Sequence, residues 1–425
     1  MALSRPGKIL FVTYGAGHAR IAAKVAQKLA ADSRLSCAIL ALTTASQVMD
    51  EAGLEYRRCC DFLPMPGYEQ ASAFGAELAD QLWSESSPVS YEETCAYLGT
   101  SMVDLVREVG ESNAKQAYAS RGRKAFKPVG FLTRVLSEIR PHVVVTTCHV
   151  RMERAATIAA RKSGIPSLLI EDLFGYTMLG ELPFDSREVA LPKEEWPTKV
   201  AVWNDFVKQR MVNAGLPEQM VVITGQPVLS EWPHVGHEEQ GLGMELSRDP
   251  RPVVTYTSTA TRQFVYEQVP ILIDLARRRT DWLFIFKLHP SLSLQEFESI
   301  GYQLPANVRL LWRDDIAQLL QNSDVVIQLQ STTGLLAIIS GKPLIVLNTT
   351  GYPELLPYVS HGGAIRVTRG DQLEAAVSKC LATGIRETDP TGVFDNPPDA
   401  AARIIEVLAE LRSHSSQTDC RDQAA

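Results

Sequence analysis

One turn in the second half of the chain contains three hydroxyl residues followed by a glycine. The motif Ser331-Thr332-Thr333-Gly334 lies between apolar runs at 325–329 and 335–339. This pattern predicts a buried parallel strand that turns into a helix. The first amides of a helix and the positive end of its dipole attract anions, so the turn suits a phosphate group. The alternative interpretation is a plain N-cap, in which the hydroxyls bind only nearby backbone amides.

A histidine closes a glycine-bearing turn near the start of the chain. The residues at 8–12 predict a first strand, and Gly15, Gly17 and His18 follow it. Arg20 stands where a dinucleotide fingerprint has its third glycine, which disfavours an NAD-dependent oxidoreductase. His18 suits the role of a base that accepts a hydroxyl proton near neutral pH. A capping or surface role is the alternative.

Two acidic residues end a later predicted strand. Glu171 and Asp172 follow the apolar run at 165–170, where the carboxyl edge of a parallel sheet is expected. Ligands bind at that edge in open α/β sheets, so either carboxylate is a candidate general base. Helix capping or a surface turn explains the same acids without chemistry.

Polar residues also end two predicted strands of the second half. Ser258 and Thr259 follow one strand, and Lys287 and His289 follow the next. In a parallel sheet these strand ends lie on the same edge as the 331–334 turn. Lys287 and His289 are therefore predicted to contact an anionic leaving group. For His289 the alternative is a structural histidine in a loop.

Composition limits the class of protein. A chain of 425 residues predicts two domains, and a net charge of −7 gives no global basic field for nucleic acid. The seven cysteines form no C-x-x-C pair, which indicates reduced thiols and a cytosolic setting. We find no apolar run long enough to span a bilayer and no secretory signal, so we expect a cytoplasmic protein.

Several motifs together resemble GT-B glycosyltransferases. S-T-T-G at 331–334 with G-K-P at 341–343 is similar to their donor-binding half, and G-x-G-H at 15–18 to their first loop. T-G-x-P at 224–227 is shared with the non-hydrolysing nucleotide-sugar 2-epimerases. K-x-H-P at 287–290 recurs in transferases of capsule, sialic acid and teichoic acid synthesis. E-D-L-F-G at 171–175 is loosely similar to the acidic motif of bacterial sialyltransferases.

The resemblance implies an α/β fold of two Rossmann-like, doubly wound domains that face each other across a cleft. We expect an acceptor-binding domain at 1–230, a donor-binding domain at 231–397, a terminal helix at 398–412 and a disordered tail at 413–425. We also expect a short strand at 53–56 and a polar, glycine-containing linker at 234–250. A helical insertion at 64–128 interrupts the first domain. It carries a basic patch that is either a solvated surface or a contact for anionic lipid headgroups or a phosphorylated acceptor: Arg121, Arg123, Lys124 and Lys127.

The implied activity is transfer of a sugar from a nucleotide-sugar donor to a hydroxyl group of a saccharide, a lipid-linked molecule or a small molecule. His18, or else Asp172 or Glu171, is the predicted base. The predicted donor-binding residues are Gly15, Gly17, Ser258, Thr259, Lys287, His289, Ser331, Thr332, Thr333, Gly334 and Glu354. Glu354 would replace a ribose-binding glutamate that lipid-linked acetylglucosaminyl transferases carry in the helix after the phosphate turn.

No D-x-D motif is present, so we expect no metal and no cofactor, and contact with the inner face of a membrane remains an option. A nucleotide-sugar 2-epimerase is the enzyme alternative, although its E-A-G-x-R run is absent. A GT-B-like scaffold that binds a nucleotide sugar or a partner without turnover is the non-catalytic alternative.

Overall fold

A computed structural model describes residues 6–15, 17–172, 174–175, 192–232, 242–289, 292, 294–312, 315–383 and 392–422. The chain forms two compact units. Unit 1 contains Met1–Ser230 and Asn396–Ala425, and unit 2 contains Glu231–Asp395. The sequence placed the first boundary at 230 but assigned everything to 397 to the second domain, whereas the chain re-enters unit 1 at Asn396.

Unit 1 is built on a six-stranded parallel sheet with the order β2-β1-β3-β4-β5-β6. Its strands are β1 (Gly7–Thr13), β2 (Leu35–Ala41), β3 (Val143–Thr146), β4 (Ser167–Ile170), β5 (Lys199–Val202) and β6 (Val221–Ile223). The predicted short strand at 53–56 does not form. Only an isolated bridge between Leu40 and Arg57 lies there.

Helices cover both faces of this sheet. They are α1 (Gly17–Leu29), α2 (Ala45–Glu51), α3 (Ala71–Leu82), α4 (Tyr91–Val109), α5 (Glu111–Arg121), α6 (Val129–Ile139), α7 (Arg151–Lys162), α8 (Asp205–Asn213) and α9 (Pro227–Glu231). Short 3-10 turns lie at Cys60–Phe62, Gly122–Ala125, Lys193–Glu195 and Glu218–Met220. Alternating side chains of β1 explain the two layers: Leu10 and Val12 join the core beneath α3, α4 and α6, and Ile9 and Phe11 join the core beneath α1.

Unit 2 repeats the architecture with the strand order β12-β11-β10-β7-β8-β9, again all parallel. Its strands are β7 (Val253–Thr257), β8 (Leu283–Lys287), β9 (Val308–Leu311), β10 (Val325–Gln328), β11 (Leu344–Leu347) and β12 (Ile365–Val367). Its helices are α10 (Leu242–Ser247), α11 (Arg262–Arg278), α12 (Leu294–Ser299), α13 (Ile316–Gln321), α14 (Thr332–Ile339) and α15 (Gly370–Thr383). The predicted linker at 234–250 thus contains a helix.

The last helix, α16 (Ala400–Asp422), returns the chain to unit 1. Ile404, Ile405 and Leu408 are buried in the core beneath α1, and Arg412 donates to the carbonyl of Arg34 at 2.8 Å. The helix extends ten residues beyond the predicted end at 412, through most of the segment predicted to be disordered; residues 423–425 lie outside the described part. The fold class, α/β with two doubly wound parallel sheets, is confirmed.

Candidate functional site

A buried carboxylate ties the ends of two strands of unit 1 together. Glu153 lies in the first turn of α7 and is fully buried. Its oxygens accept from the amides of Tyr14 at 2.8 Å, Thr147 at 2.5 Å and Cys148 at 2.8 Å. Charge-assisted bonds of this kind are about twice as strong as neutral ones, so the loops after β1 and β3 are held in a fixed geometry.

His18 and Asp172 meet at this edge of the sheet. The Nδ1 atom of His18 lies 3.4 Å from Asp172 Oδ2 and 3.2 Å from the carbonyl oxygen of Thr147. A carbonyl can only accept, so Nδ1 carries the proton in the neutral ring. The opposite nitrogen, Nε2, is then the proton acceptor, which is the state that a general base needs.

The electrostatic surroundings of His18 favour its protonated form. Burial by itself would lower the pKa of His18, but the carboxylates of Asp172, Glu153 and Glu171 and the Thr147 carbonyl outweigh it. The pKa is therefore raised above its ordinary value of 6.5. Glu171, which follows β4, is 1% exposed, whereas the Asp172 side chain is 16% exposed, so Asp172 is the more accessible carboxylate of this site.

A cavity of about 560 Å³ adjoins His18 within unit 1. Ligand-binding clefts of proteins commonly have volumes of about 300–1,000 Å³. Its walls combine the β1–α1 turn with the helical insertion predicted at 64–128, through α4 and the loop that precedes it. Polar and aromatic side chains line it, among them Tyr14, Thr44, Trp83, Tyr97, Arg123 and Arg151. The insertion is therefore part of a ligand-sized site.

The two glycines of the first turn differ in their steric role. A Cβ on Gly15 would stand 1.8 Å from Thr44 Oγ1, so a glycine is required there for the turn to pack. A Cβ on Gly17 would meet no atom within 4 Å. Gly15 lines the cavity of unit 1. Both glycines thus lie beside His18, and their contact with a donor remains a prediction.

In unit 2 the hydroxyl-rich turn begins α14, as a capped helix start. Ser331 is the N-cap residue and its Oγ accepts from the Thr333 amide at 3.3 Å, while the Gly334 amide donates to the Ser331 carbonyl at 3.0 Å. The Leu335 amide donates to the Tyr358 hydroxyl at 3.1 Å. The capping interpretation is thus realised for three amides. Within the described residues only the Thr332 amide of this turn lacks a protein acceptor, and Thr332 is exposed.

A buried amide group without a partner lies next to this turn. Gln328, at the carboxyl end of β10, is fully buried, and neither polar atom of its side chain has a hydrogen-bond partner among the described residues. A Cβ on Gly334 would stand 3.0 Å from its Nε2. Unpaired buried polar groups are uncommon and cost free energy, so this packing beneath Gly334 carries an energetic cost.

The polar residues after β7 and β8 hold the loops together. The Ser258 hydroxyl accepts from the His289 amide at 2.8 Å, and the Thr259 hydroxyl accepts from the Thr261 amide at 3.3 Å. Lys287 is 8% exposed, and its ammonium donates to the carbonyl of Trp312. Burial and then the charge of Lys287 lower the pKa of His289, so His289 is neutral near pH 7. The loops around the predicted phosphate contact are therefore ordered by these same residues.

Glu354 is engaged within its own loop. One carboxylate oxygen accepts from the amides of Val359 at 2.6 Å and Ser360 at 3.2 Å, and the other accepts from Arg366 at 3.1 Å. These bonds fasten the loop to β12. Both oxygens of Glu354 have structural partners, so a ribose contact would have to compete with them.

The described residues contain no group of three histidine, cysteine or acidic side chains placed to hold a metal ion. Within the same part of the chain, no helix is long and apolar enough to cross a bilayer. Metal independence and membrane contact remain predictions.

The sequence interpretation missed three residues of the unit 1 site, namely Tyr14, Arg151 and Glu153. A signal was present, because the polar run 147–149 ends a predicted strand just before the helix that carries Arg151 and Glu153. The contact between that helix and the β1–α1 turn depends on β1 and β3 being neighbours, which the strand order alone reveals.

No protein-family model and no curated protein matches this sequence. Solved structures match it over nearly its whole length. UDP-GlcNAc 2-epimerase from Neisseria meningitidis, bound to UDP-GlcNAc, has a TM-score of 0.63 at 15% identity and covers 95% of this chain and 100% of its own. The MnaA–UDP structure from S. aureus has a TM-score of 0.65 at 12% identity, and the match covers 94% of this chain and 95% of the MnaA chain. Glycosyltransferase SnogD from Streptomyces nogalater has a TM-score of 0.58 at 18% identity, and the match covers 95% of this chain and 99% of SnogD.

These likenesses define the class of fold. The chain has the two-domain GT-B architecture that its epimerase and glycosyltransferase neighbours share. The identities are too low for the neighbours' activities to be carried over to this chain on similarity alone.

Proposed function

We propose that this protein is a glycosyltransferase that moves a sugar from a nucleotide-sugar donor to a hydroxyl group of a second substrate. The observation that supports the proposal is the His18–Asp172 pair beside a ligand-sized cavity in unit 1. Transfer by direct displacement at the anomeric carbon uses a base beside a pocket for the acceptor. An epimerase, which rearranges its nucleotide sugar, has no need of an acceptor pocket.

In the proposed reaction, Nε2 of His18 accepts the proton of the acceptor hydroxyl as the oxygen attacks the anomeric carbon. Asp172 offsets the positive charge that then develops on the imidazole, and the Thr147 carbonyl keeps the ring in its tautomer. The bond between the anomeric carbon and the phosphate oxygen breaks, and the nucleotide leaves with the electron pair. Asp172 is thus a positioning residue, and His18 is the base.

We assign the donor phosphate to the start of α14 in unit 2. The exposed Thr332 supplies its amide and its hydroxyl to the phosphate, and the hydroxyls of Ser331 and Thr333 and the helix dipole add to the favourable surroundings, although three neighbouring amides are already bonded. His289 contributes as a neutral donor, because its lowered pKa leaves it uncharged.

A nucleotide-sugar 2-epimerase is the second candidate. The likeness in fold includes both classes, since UDP-GlcNAc 2-epimerase from Neisseria meningitidis has a TM-score of 0.63 and the glycosyltransferase SnogD has one of 0.58. The proposed donor site serves either activity. The two proposals differ in whether a second substrate is consumed.

Donor binding is tested by thermal unfolding with UDP-, CMP-, GDP- and TDP-linked sugars. A ligand at 100 times its dissociation constant stabilises the folded state by about 2.7 kcal/mol, which raises Tm. We expect one nucleotide class to raise Tm, and Thr332→Val to reduce that rise. Thr280→Val is the matched control, because Thr280 is also exposed in unit 2 but precedes β8 at the opposite edge of the sheet. No rise with any donor, or an equal reduction in both variants, would contradict the assignment.

A further inference from the structure

We infer that the unit 1 cavity binds a molecule that carries an anionic group, carboxylate or phosphate, on an apolar or aromatic body. The inference rests on the proposed function where it names this molecule as the acceptor. The binding itself is argued only from the walls of the cavity.

Arg151 places a guanidinium group on the wall of the cavity. It is half-buried at the start of α7, and its guanidinium lies over the ring of Tyr14, 4.6 Å from the centroid. Among the described residues no side chain forms an ion pair with it. Half-buried arginines usually gain a carboxylate or phosphate partner, because their planar fork matches these anions with two parallel bonds.

The backbone at Arg151 is held in a costly conformation. Its φ of 46° is in the left-handed region, and so is the φ of 54° at Thr43, which lines the same cavity. Non-glycine residues rarely adopt this region, and strained residues of this kind concentrate at ligand sites. Both strained residues thus lie on the wall of one cavity.

The other charges of the cavity wall agree with an anion. Arg123, which belongs to the basic patch at 121–127, lines the cavity. Lys127 is instead paired with Glu195 at 3.5 Å. The acidic residue of the wall, Glu93, is 1% exposed, and its two oxygens accept from the amides of Cys59 and Cys60 at 3.2 and 3.0 Å. Its acceptor atoms are thus directed away from the cavity.

An apolar surface completes the site. Trp83 is half-buried and fixed by a bond from its Nε1 to the Val89 carbonyl at 2.8 Å, and both residues line the cavity with Leu82, which is 57% exposed. A preordered aromatic ring beside two arginines suits a flat or apolar ligand with one charged end. If this ligand is the acceptor of the proposed reaction, the hydroxyl group that receives the sugar would face His18.

The test is a ligand-observed NMR titration of the full chain, without a donor, with phenyl phosphate, benzoate and neutral benzyl alcohol. We expect at least one anion to bind about tenfold or more tightly than the alcohol, the gain of a charge-assisted pair. Preference for phenyl phosphate or for benzoate distinguishes a phosphorylated from a carboxylated ligand. Arg151→Gln should reduce anion affinity to that of the alcohol.

Arg123→Gln is a second variant, because Arg123 is exposed and its replacement leaves the α7 start intact. Arg134→Gln, an exposed arginine on α6, is the matched control and should change nothing. Equal binding of the alcohol and both anions, or equal losses in Arg123→Gln, Arg151→Gln and Arg134→Gln, would overturn the inference. Anion binding that depends on Arg151 in a protein without transferase activity would uphold the site and refute the proposed function.

Discussion

The Nδ1 atom of His18 lies 3.4 Å from Asp172, although His18 follows β1 and Asp172 follows β4. The same nitrogen lies 3.2 Å from the Thr147 carbonyl, which follows β3. Three strand ends thus fix one imidazole. The base and the carboxylate that the sequence offered as alternatives are two parts of one arrangement, so substitutions of either should affect the same step.

Replacement of His18 by alanine should reduce transfer by about 10²–10⁴-fold, the usual contribution of a general base. Asp172→Asn should cause a smaller loss, because the base remains while its charge partner is gone. Turnover with the donor found by thermal unfolding measures both. His142→Gln, at an exposed histidine of unit 1, is the control and should retain full activity. Full activity in His18→Ala would contradict the assignment of His18 as the base.

The pH dependence of transfer follows from the raised pKa of His18. A base acts in its deprotonated form, so activity should fall as pH decreases through that pKa, with a midpoint above 6.5. Asp172→Asn removes a carboxylate that raises the pKa, so the midpoint should move to lower pH. The profile of kcat/KM against pH measures this. If the midpoint were the same in the unmodified protein and in Asp172→Asn, the claim that Asp172 raises the pKa of His18 would be contradicted.

The glycine of the donor turn should be required for packing. A Cβ on Gly334 would stand 2.8 Å from the Tyr358 ring, so Gly334→Ala should lower the free energy of unfolding by about 1–3 kcal/mol. Gly17→Ala is the matched substitution at a helix start with open space, and it should change stability by less than about 0.5 kcal/mol. Denaturant unfolding compares the two. Equal stabilities would contradict the packing around Tyr358.

Glu354 should act on stability and leave donor binding unchanged. Glu354→Gln weakens its bonds to the Val359 amide and to Arg366, so we expect a loss of about 1 kcal/mol in the free energy of unfolding. The rise in Tm that the donor causes should stay the same. A reduced rise would restore the ribose contact that the sequence resemblance predicted.

The sequence contained most of the fold. Short β-branched runs that alternate with apolar helices specified both sheets, because a strand buried on both faces has to be apolar throughout. The prediction of a strand at 53–56 was wrong. This segment forms no strand, and only the neighbouring Arg57 forms an isolated bridge, with Leu40 of β2. The predicted end at 412 failed because polar residues beyond it still form regular helix.

The site was only partly predictable. His18, Asp172 and Ser331 were predicted as site residues because they follow strands, and a strand end is visible in sequence; their roles remain predictions. The roles of Arg151 and Glu153 depend on β1 lying beside β3, a pairing of segments far apart in the chain. Lys287 and Glu354 each bond to backbone atoms of other segments, and sequence motifs do not reveal such contacts.

The most direct measurement is mass spectrometry of the products when the nucleotide sugar that raises Tm is incubated with and without hydroxyl-bearing acceptors. We predict a glycosylated acceptor and free nucleotide in stoichiometric amounts, formed only with acceptor and not by His18→Ala. Conversion of the nucleotide sugar to its epimer at carbon 2 in the absence of any acceptor would contradict the account.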